Sequence, residues 1–174
     1  NSVMEVFSRH ATHARDLVQY LYNAHIQEHL DFSESPSSVF FLCIPESAYA
    51  NVLHELILPK DATLVLVSGH FSIAEASALY DPAHENNNPI GVLYPVQYLQ
   101  KGVNTKLDDS LICIEGSTPQ TETLLSAFGK SLSKVVYAVT EEERKKIHLS
   151  ALLTGDFTRI LWSKAEDLMK DRKS

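Results

Sequence analysis

The sequence predicts an α/β fold: a mostly parallel sheet whose strands alternate with helices, followed by the start of an all-helical region. Three observations predict it. Short apolar runs recur between amphipathic segments from residue 3 to residue 139. Two of them, Val39–Ile44 (VFFLCI) and Thr63–Val67 (TLVLV), are apolar throughout, the pattern of strands buried on both faces. Beyond Thr140 the strand signals stop, and a helical pattern runs to Lys170 with no proline and one glycine, Gly155.

Taken in order, Val3–Phe7 reads as a short strand. Thr12 is a candidate cap for a helix whose Ala14, Leu17, Val18 and Leu21 share one face. His25–Ser37 is polar and reads as a loop. VFFLCI is a strand that Pro45 ends, and Tyr49, Val52, Leu53 and Leu56 make a helical stripe after it. TLVLV is the next strand, Ser68-Gly69 a turn, and Ser72 with Glu75 a capping box. Tyr80–Pro89 (YDPAHENNNP) is a loop of breakers. Ile90–Tyr94 is a strand stopped by Pro95, and Leu111–Glu115 is another. Thr118-Pro119 sets a cap before a proline at the first helical position, with Leu124, Leu125 and Phe128 as the apolar face. Val135–Val139 is the last strand.

Thr140 and Glu143 then form a second capping box. Ile147, Ala151, Leu161, Ala165 and Leu168 fit one stripe, on one long helix or two joined near Gly155. The division expected is 1–139 for the sheet domain and 140–174 for the first long helix of a helical domain. Strand–helix alternation implies right-handed crossovers, so the sheet is Rossmann-like.

At 174 residues the chain suffices for one domain with a good core, or one plus part of another. A net charge of −7 argues against general nucleic-acid binding. No apolar run approaches the roughly 20 residues that span a membrane, and no signal-peptide pattern opens the sequence. Cys43 and Cys113 both lie in strand-like stretches and read as buried thiols of a reducing compartment, with a disulfide or a catalytic cysteine as alternatives. A cytoplasmic protein is expected.

The chemistry is sparse. Ser8-Arg9 follows the first strand, where a carboxylate would bind the ribose 2′-hydroxyl of NAD. A serine and an arginine suit the 2′-phosphate of NADP instead, because a guanidinium offers paired donors. The plain alternative is a solvated arginine at a helix entrance. None of the glycines is spaced G-x-G-x-x-G, so no phosphate-cradling loop is present. His10, His13, His25 and His29 have helical spacings but no accompanying carboxylate motif, so no metal is expected. His148 lies in the long helix, with Asp156 two turns on; a lone histidine there reads first as a core residue. Ser68 has neither a paired histidine nor a nucleophile elbow, which argues against a hydrolase.

The order EVFSR, FFLCIPESAYANVL, LVLVSGHFS, GVLYPVQYL, LICIEGS and ERKKIHLSALLTGDFTRILWSKAEDLM resembles one family across nearly the whole chain. It is similar to Rossmann-like NADP-dependent oxidoreductases whose C-terminal domain is a helical domain of unknown function. These stand with the 6-phosphogluconate dehydrogenase, ketopantoate reductase and pyrroline-5-carboxylate reductase superfamily. Members begin with a strand, a G-x-G-x-x-A-like loop and a helix, and end with further helices. The resemblance therefore implies that this chain is the middle of such a protein.

It further implies roles by position. Ser8 and Arg9 would face the adenosine 2′-phosphate. Ile44, Pro45 and Glu46 would line the cofactor ribose, and Ser68 and Gly69 would lie near the nicotinamide. Tyr94, Pro95 and Gln97 match the family's His/Tyr-Pro-x-Gln segment at the cleft, where Tyr94, Gln97 and Asp156 would bind substrate. His148 opens the long helix and would be the catalytic donor. Two positions depart from the family. Leu66 stands where a histidine is frequent, and Asp156 where an asparagine is. The implied activity is hydride transfer between NADP(H) and a small carbonyl, imine or hydroxy acid, by a homodimer paired through its C-terminal helices. The alternative is a non-catalytic dinucleotide-binding or regulatory module that pairs through the same helices.

Overall fold

The computed structural model describes residues 2–80, 87–99 and 103–170. Its strands are β1 (Glu5–Phe7), β2 (His25–Gln27), β3 (Val39–Leu42), β4 (Thr63–Leu66), β5 (Ile90–Pro95), β6 (Leu111–Gly116) and β7 (Val135–Ala138). Its helices are α1 (Ala11–Val18), α2 (Tyr49–Glu55), α3 (Ile73–Leu79), α4 (Pro119–Leu132), α5 (Glu141–Ala151) and α6 (Thr158–Lys170). A 3-10 turn, Glu46–Ala48, leads into α2, and a π-helical segment, Leu152–Phe157, joins α5 to α6. The fold is mixed α/β and Rossmann-like with a mostly parallel sheet, as the alternation predicts.

Strands β3 to β7 form one sheet in sequential order, parallel except for the antiparallel pairing of β5 with β6. β1 and β2 form a separate parallel pair. The sequence reading placed His25–Ser37 in a loop and so missed β2. His-Ile-Gln is too short and too polar to read as a strand, and its order comes from pairing with β1, where Gln27 Nε2 donates to Glu5 Oε1 at 2.6 Å.

The core lies at the centre of the five-stranded sheet. All four residues of β4 are buried; Leu64, Leu66 and Val92 share one cluster with Tyr49 and Leu53 of α2, and Val65, Ile112 and Ile114 a second with Leu125 of α4. β3 corrects an expectation. VFFLCI reads as buried on both faces, yet of its strand only Leu42 is buried and Phe41 is exposed, because β3 is an edge strand with β4 on one side only. Cys43, one residue past β3, is likewise exposed, whereas Cys113 in β6 is buried; both thiols are free.

Local capping is legible and largely correct. Ser72–Glu75 and Thr140–Glu143 form reciprocal capping boxes, and Thr118 caps α4 ahead of Pro119. Thr12 does not cap α1. The helix starts two residues earlier than a Thr12 cap would set it, His10 holds the cap position, and Ser8 Oγ accepts from the His10 amide. Leu124 faces solvent on α4, so Leu125 and Phe128 carry its apolar face. Most of the breaker loop at Tyr80–Pro89, residues 81–86, lies outside the described residues.

From Glu141 to Lys170 the helix is continuous, with Gly155 inside its π segment. Thr158 Oγ1 donates to the Leu153 carbonyl at 3.1 Å, serving an acceptor that the widened turn frees. No helix among the described residues is long and apolar enough to cross a membrane.

Candidate functional site

Parallel strands bring their carboxyl ends to one edge of a sheet, and that edge is where α/β proteins hold ligands. Glu46 follows β3, Ser68 and Gly69 follow β4, and Tyr94 ends β5. α5 crosses this edge and is fastened there by Arg144, which is fully buried. Its Nη2 and Nε donate to Glu115 Oε2 of β6 at 2.9 and 3.2 Å, and Nη1 donates to the Ser68 carbonyl at 3.4 Å. A buried guanidinium needs such partners, since an unpaired buried charge is far costlier than a paired one.

One turn after Arg144, α5 presents His148. Tyr94 Oη lies 2.8 Å from His148 Nδ1, with the rings edge to face. Burial pushes the Tyr94 phenol up, and the nearby thiol of Cys113 and carboxylates of Asp156 and Glu46 push it the same way. Tyr94 therefore keeps its proton near neutral pH, and the direction of its hydrogen bond with Nδ1 is set by the His148 tautomer. Burial also moves the His148 imidazole down, against a smaller upward pull from Glu46. Burial thus favours the neutral ring, and with Tyr94 as donor to Nδ1 its hydrogen would sit on Nε2. Gly69 explains how the ring comes so close, because a Cβ at that position would fall inside the imidazole.

Ser68 organises the turn itself. Its Oγ accepts from the amides of His70 at 3.1 Å and Phe71 at 2.8 Å and donates to Glu46 Oε1. The other oxygen of Glu46 meets His70 Nδ1 at 2.6 Å. The structure thus brings together Glu46, Ser68, Gly69, Tyr94 and His148, and adds Arg144, Glu115 and His70, which the sequence reading missed. For Arg144 a signal was present: it falls on the helical face of Ile147 and Ala151.

The remaining predicted residues lie apart from that cluster or at its margin. Ser8 and the exposed Arg9 follow β1 of the separate two-stranded sheet. Ile44 and Pro45 lead from β3 to Glu46. Gln97 turns to Ser110, whose Oγ lies 3.4 Å from its Oε1, over a shallow cavity of about 460 Å³ bordered by Lys106 and Asp109. Asp156 sits in the π segment and pairs with Arg159, whose guanidinium stacks 4.7 Å over Tyr98. No three metal-ligating side chains cluster among the described residues.

The mostly parallel sheet and the polar side chains gathered at its carboxyl edge define a Rossmann-like α/β protein. Known structures fall in the same class. Residues 110–173, from the start of β6 through the long helix, match a family described as Domain of unknown function (DUF2520). The "putative NADP oxidoreductase BF3122" from Bacteroides fragilis is similar at 26% identity and a TM-score of 0.81, over 98% of this chain and 64% of that one. A 1-pyrroline-5-carboxylate reductase from Streptococcus pyogenes shares the fold at 10% identity and a TM-score of 0.63, over 96% of this chain and 70% of that one. An imine reductase from Aspergillus terreus, in complex with NADPH4 and an azepine, shares it at 14% identity and a TM-score of 0.59, over 93% and 55%. This chain spans less than two thirds of the length of the Bacteroides structure. Among curated proteins none matches it.

Proposed function

We propose that this chain is the core of an NADP(H)-dependent oxidoreductase that moves a hydride to or from a small carbonyl, imine or hydroxy acid. One observation carries the reading. His148 is held at the carboxyl edge of the sheet with its Nδ1 against Tyr94 Oη; with Tyr94 as the donor there, an Nε2–H is left to orient an acceptor atom. The similarity to oxidoreductases supports it.

The donor set fits parts of the dinucleotide. The Ser8 hydroxyl and the exposed Arg9 guanidinium suit a phosphomonoester at the end of β1. Ser68 and Gly69 line the approach to His148, where the nicotinamide would lie. Glu46 is already engaged by Ser68 and His70, so its proposed hold on the ribose would be through what capacity remains. No glycine-rich pyrophosphate loop is among the 174 residues. When bound, the cofactor supplies or accepts the hydride; the protein's part is placement and polarity. Tyr94 fixes the His148 tautomer, His148 polarises the C=O or C=N, and Asp156 and Gln97 border the substrate's approach.

The domain division at residue 139/140 and a homodimer paired through the helices belong to the same proposal. Leu149, Leu153, Phe157, Ile160, Leu161, Trp162, Leu168 and Met169 are all at least half exposed on the long helix, more apolar surface than a lone soluble helix carries. That surface is also what favours the second reading, a non-catalytic module that binds dinucleotide and pairs through its helices.

The test is NADPH binding followed by fluorescence, with turnover of 1-pyrroline followed by absorbance. Arg9→Ala should weaken NADPH about 10–100-fold and leave NADH unaltered, the loss of a charge-assisted bond pair. His148→Asn should leave binding intact and cut turnover. Binding without turnover in the wild type favours the second reading.

A further inference from the structure

Two imidazoles share the turn after β4, and the reading above uses one. We propose that His70, oriented by Glu46, is a second catalytic residue of this site and supplies the proton that accompanies hydride transfer, while His148 orients the accepting atom. The proposal rests on the reductase reading.

The geometry is that of an oriented acid–base group. Two backbone amides lock the Ser68 hydroxyl, and that hydroxyl holds one oxygen of Glu46. The carboxylate is therefore fixed when its other oxygen meets His70 Nδ1 at 2.6 Å. A carboxylate on Nδ1 keeps a hydrogen there and makes Nε2 the atom that gains and loses a proton. His70 is one residue from Gly69, which packs directly against the His148 ring. The charged groups that face it are Glu46 after β3, Glu75 on α3 and His148 on α5.

The two rings differ in what they can give. His148 is half-buried, and its Nδ1 is occupied by Tyr94 Oη, taken here as the donor. A neutral ring so placed can polarise a C=O or C=N bond, but losing its one N–H proton would leave an imidazolate. His70 is 58% exposed, so water can reload it. The balance then closes. A hydride with its electron pair passes from a reduced nicotinamide to the substrate carbon. The C=O or C=N π pair would take the proton from Nε2 of doubly protonated His70, which becomes neutral with its Nδ1–H on Glu46 until solvent returns a proton.

The decisive experiment records ring ¹⁵N signals of histidine-labelled protein across pH, for wild type and Glu46→Gln. It is read beside NADPH binding and 1-pyrroline turnover for wild type and His70→Asn. Neutral His70 should carry its hydrogen on Nδ1, with that preference lost in Glu46→Gln. His148 should carry its hydrogen on Nε2 in both. His70→Asn should lower kcat about 100-fold or more, partly restored by added imidazole, with NADPH affinity within about twofold. Neutral His70 protonated on Nε2, or a His70→Asn variant with kcat near wild type, overturns the proposal. A wild type that binds NADPH but turns over nothing overturns the reductase reading, and the donor role falls with it; the ¹⁵N pattern still shows whether the pair forms.

Discussion

The central strands and the terminal helical arm use the same kinds of residue to opposite ends. Leu64, Val65 and Leu66 on β4 and Ile112 and Ile114 on β6 are at most 1% exposed, whereas Leu161, Trp162 and Leu168 on α6 are 69–71% exposed. The first set is satisfied within the chain. The second is organised as a helix without being covered, so its order draws on local hydrogen bonds and capping rather than on burial. One region depends on packing density, the other on its capping box and its own helical hydrogen bonds. Arg144 lies at the junction, buried against the sheet at one end of a helix that is exposed at the other.

The sharpest way to break this contrast is a matched pair of truncations. Leu64→Ala should destabilise the chain by roughly 2–5 kcal/mol in urea unfolding, the cost of an unfilled cavity in a packed core. Leu161→Ala should fall within about 0.5 kcal/mol, as substitutions away from buried features do. Its effect should appear instead in sedimentation, as weakened self-association. Equal costs at the two sites would mean that the arm folds back on the chain.

The junction comes next. Arg144→Ala removes the guanidinium that joins α5 to Glu115 and to the Ser68 carbonyl. A loss of about 3 kcal/mol is expected, at the low end for broken buried pairs because Glu115 retains some contact with water. The variant should also shift the ring signals of His148, one turn along. A change in His148 with no loss of stability would make Arg144 a positioning residue alone.

A smaller loss than at Arg144 tests the sheet side. Ser72→Ala opens the capping box of α3 and should cost about 1 kcal/mol. Hydrogen bonds from the Ser72 side chain and backbone hold the Glu75 carboxyl below its usual range. Because the folded-state value is the lower one, the contribution is fully present above the ordinary carboxylate range and is lost as pH falls through the folded value. Urea unfolding at pH 7 and pH 3 should show the wild-type advantage over Ser72→Ala shrinking at the lower pH.

What could be read in advance follows from how local each signal is. Capping boxes involve residues three apart, and both were legible, as was Thr118 ahead of Pro119. β2 was not, since three residues with two polar side chains gain strand character only from a partner twenty residues away. The edge position of β3 is a matter of topology, and composition cannot report it. The candidate site divides the same way. Ser68, Gly69, Tyr94 and His148 were picked out by resemblance, but the Glu46–His70 pair joins the ends of two different strands, and nothing in either segment alone announces the other. The useful hint was an acid directly after the Pro45 that ends one buried-looking strand and a histidine directly after the turn that ends the next.

The π segment at Leu152–Phe157 sets a rotational phase. From Glu141 to Lys170 the helix extends roughly 45 Å, and each residue advances it by about 100°. Were this stretch to tighten to ordinary α geometry with its length unchanged, the helix would gain about one residue's worth of rotation. Everything beyond would then turn by about a quarter of a revolution relative to His148. Trp162 and Leu168 would point elsewhere while the sheet edge stayed as it is. The widened turn therefore acts as a vernier between the site and the arm, fixing which way the apolar stripe faces when the imidazole is in place.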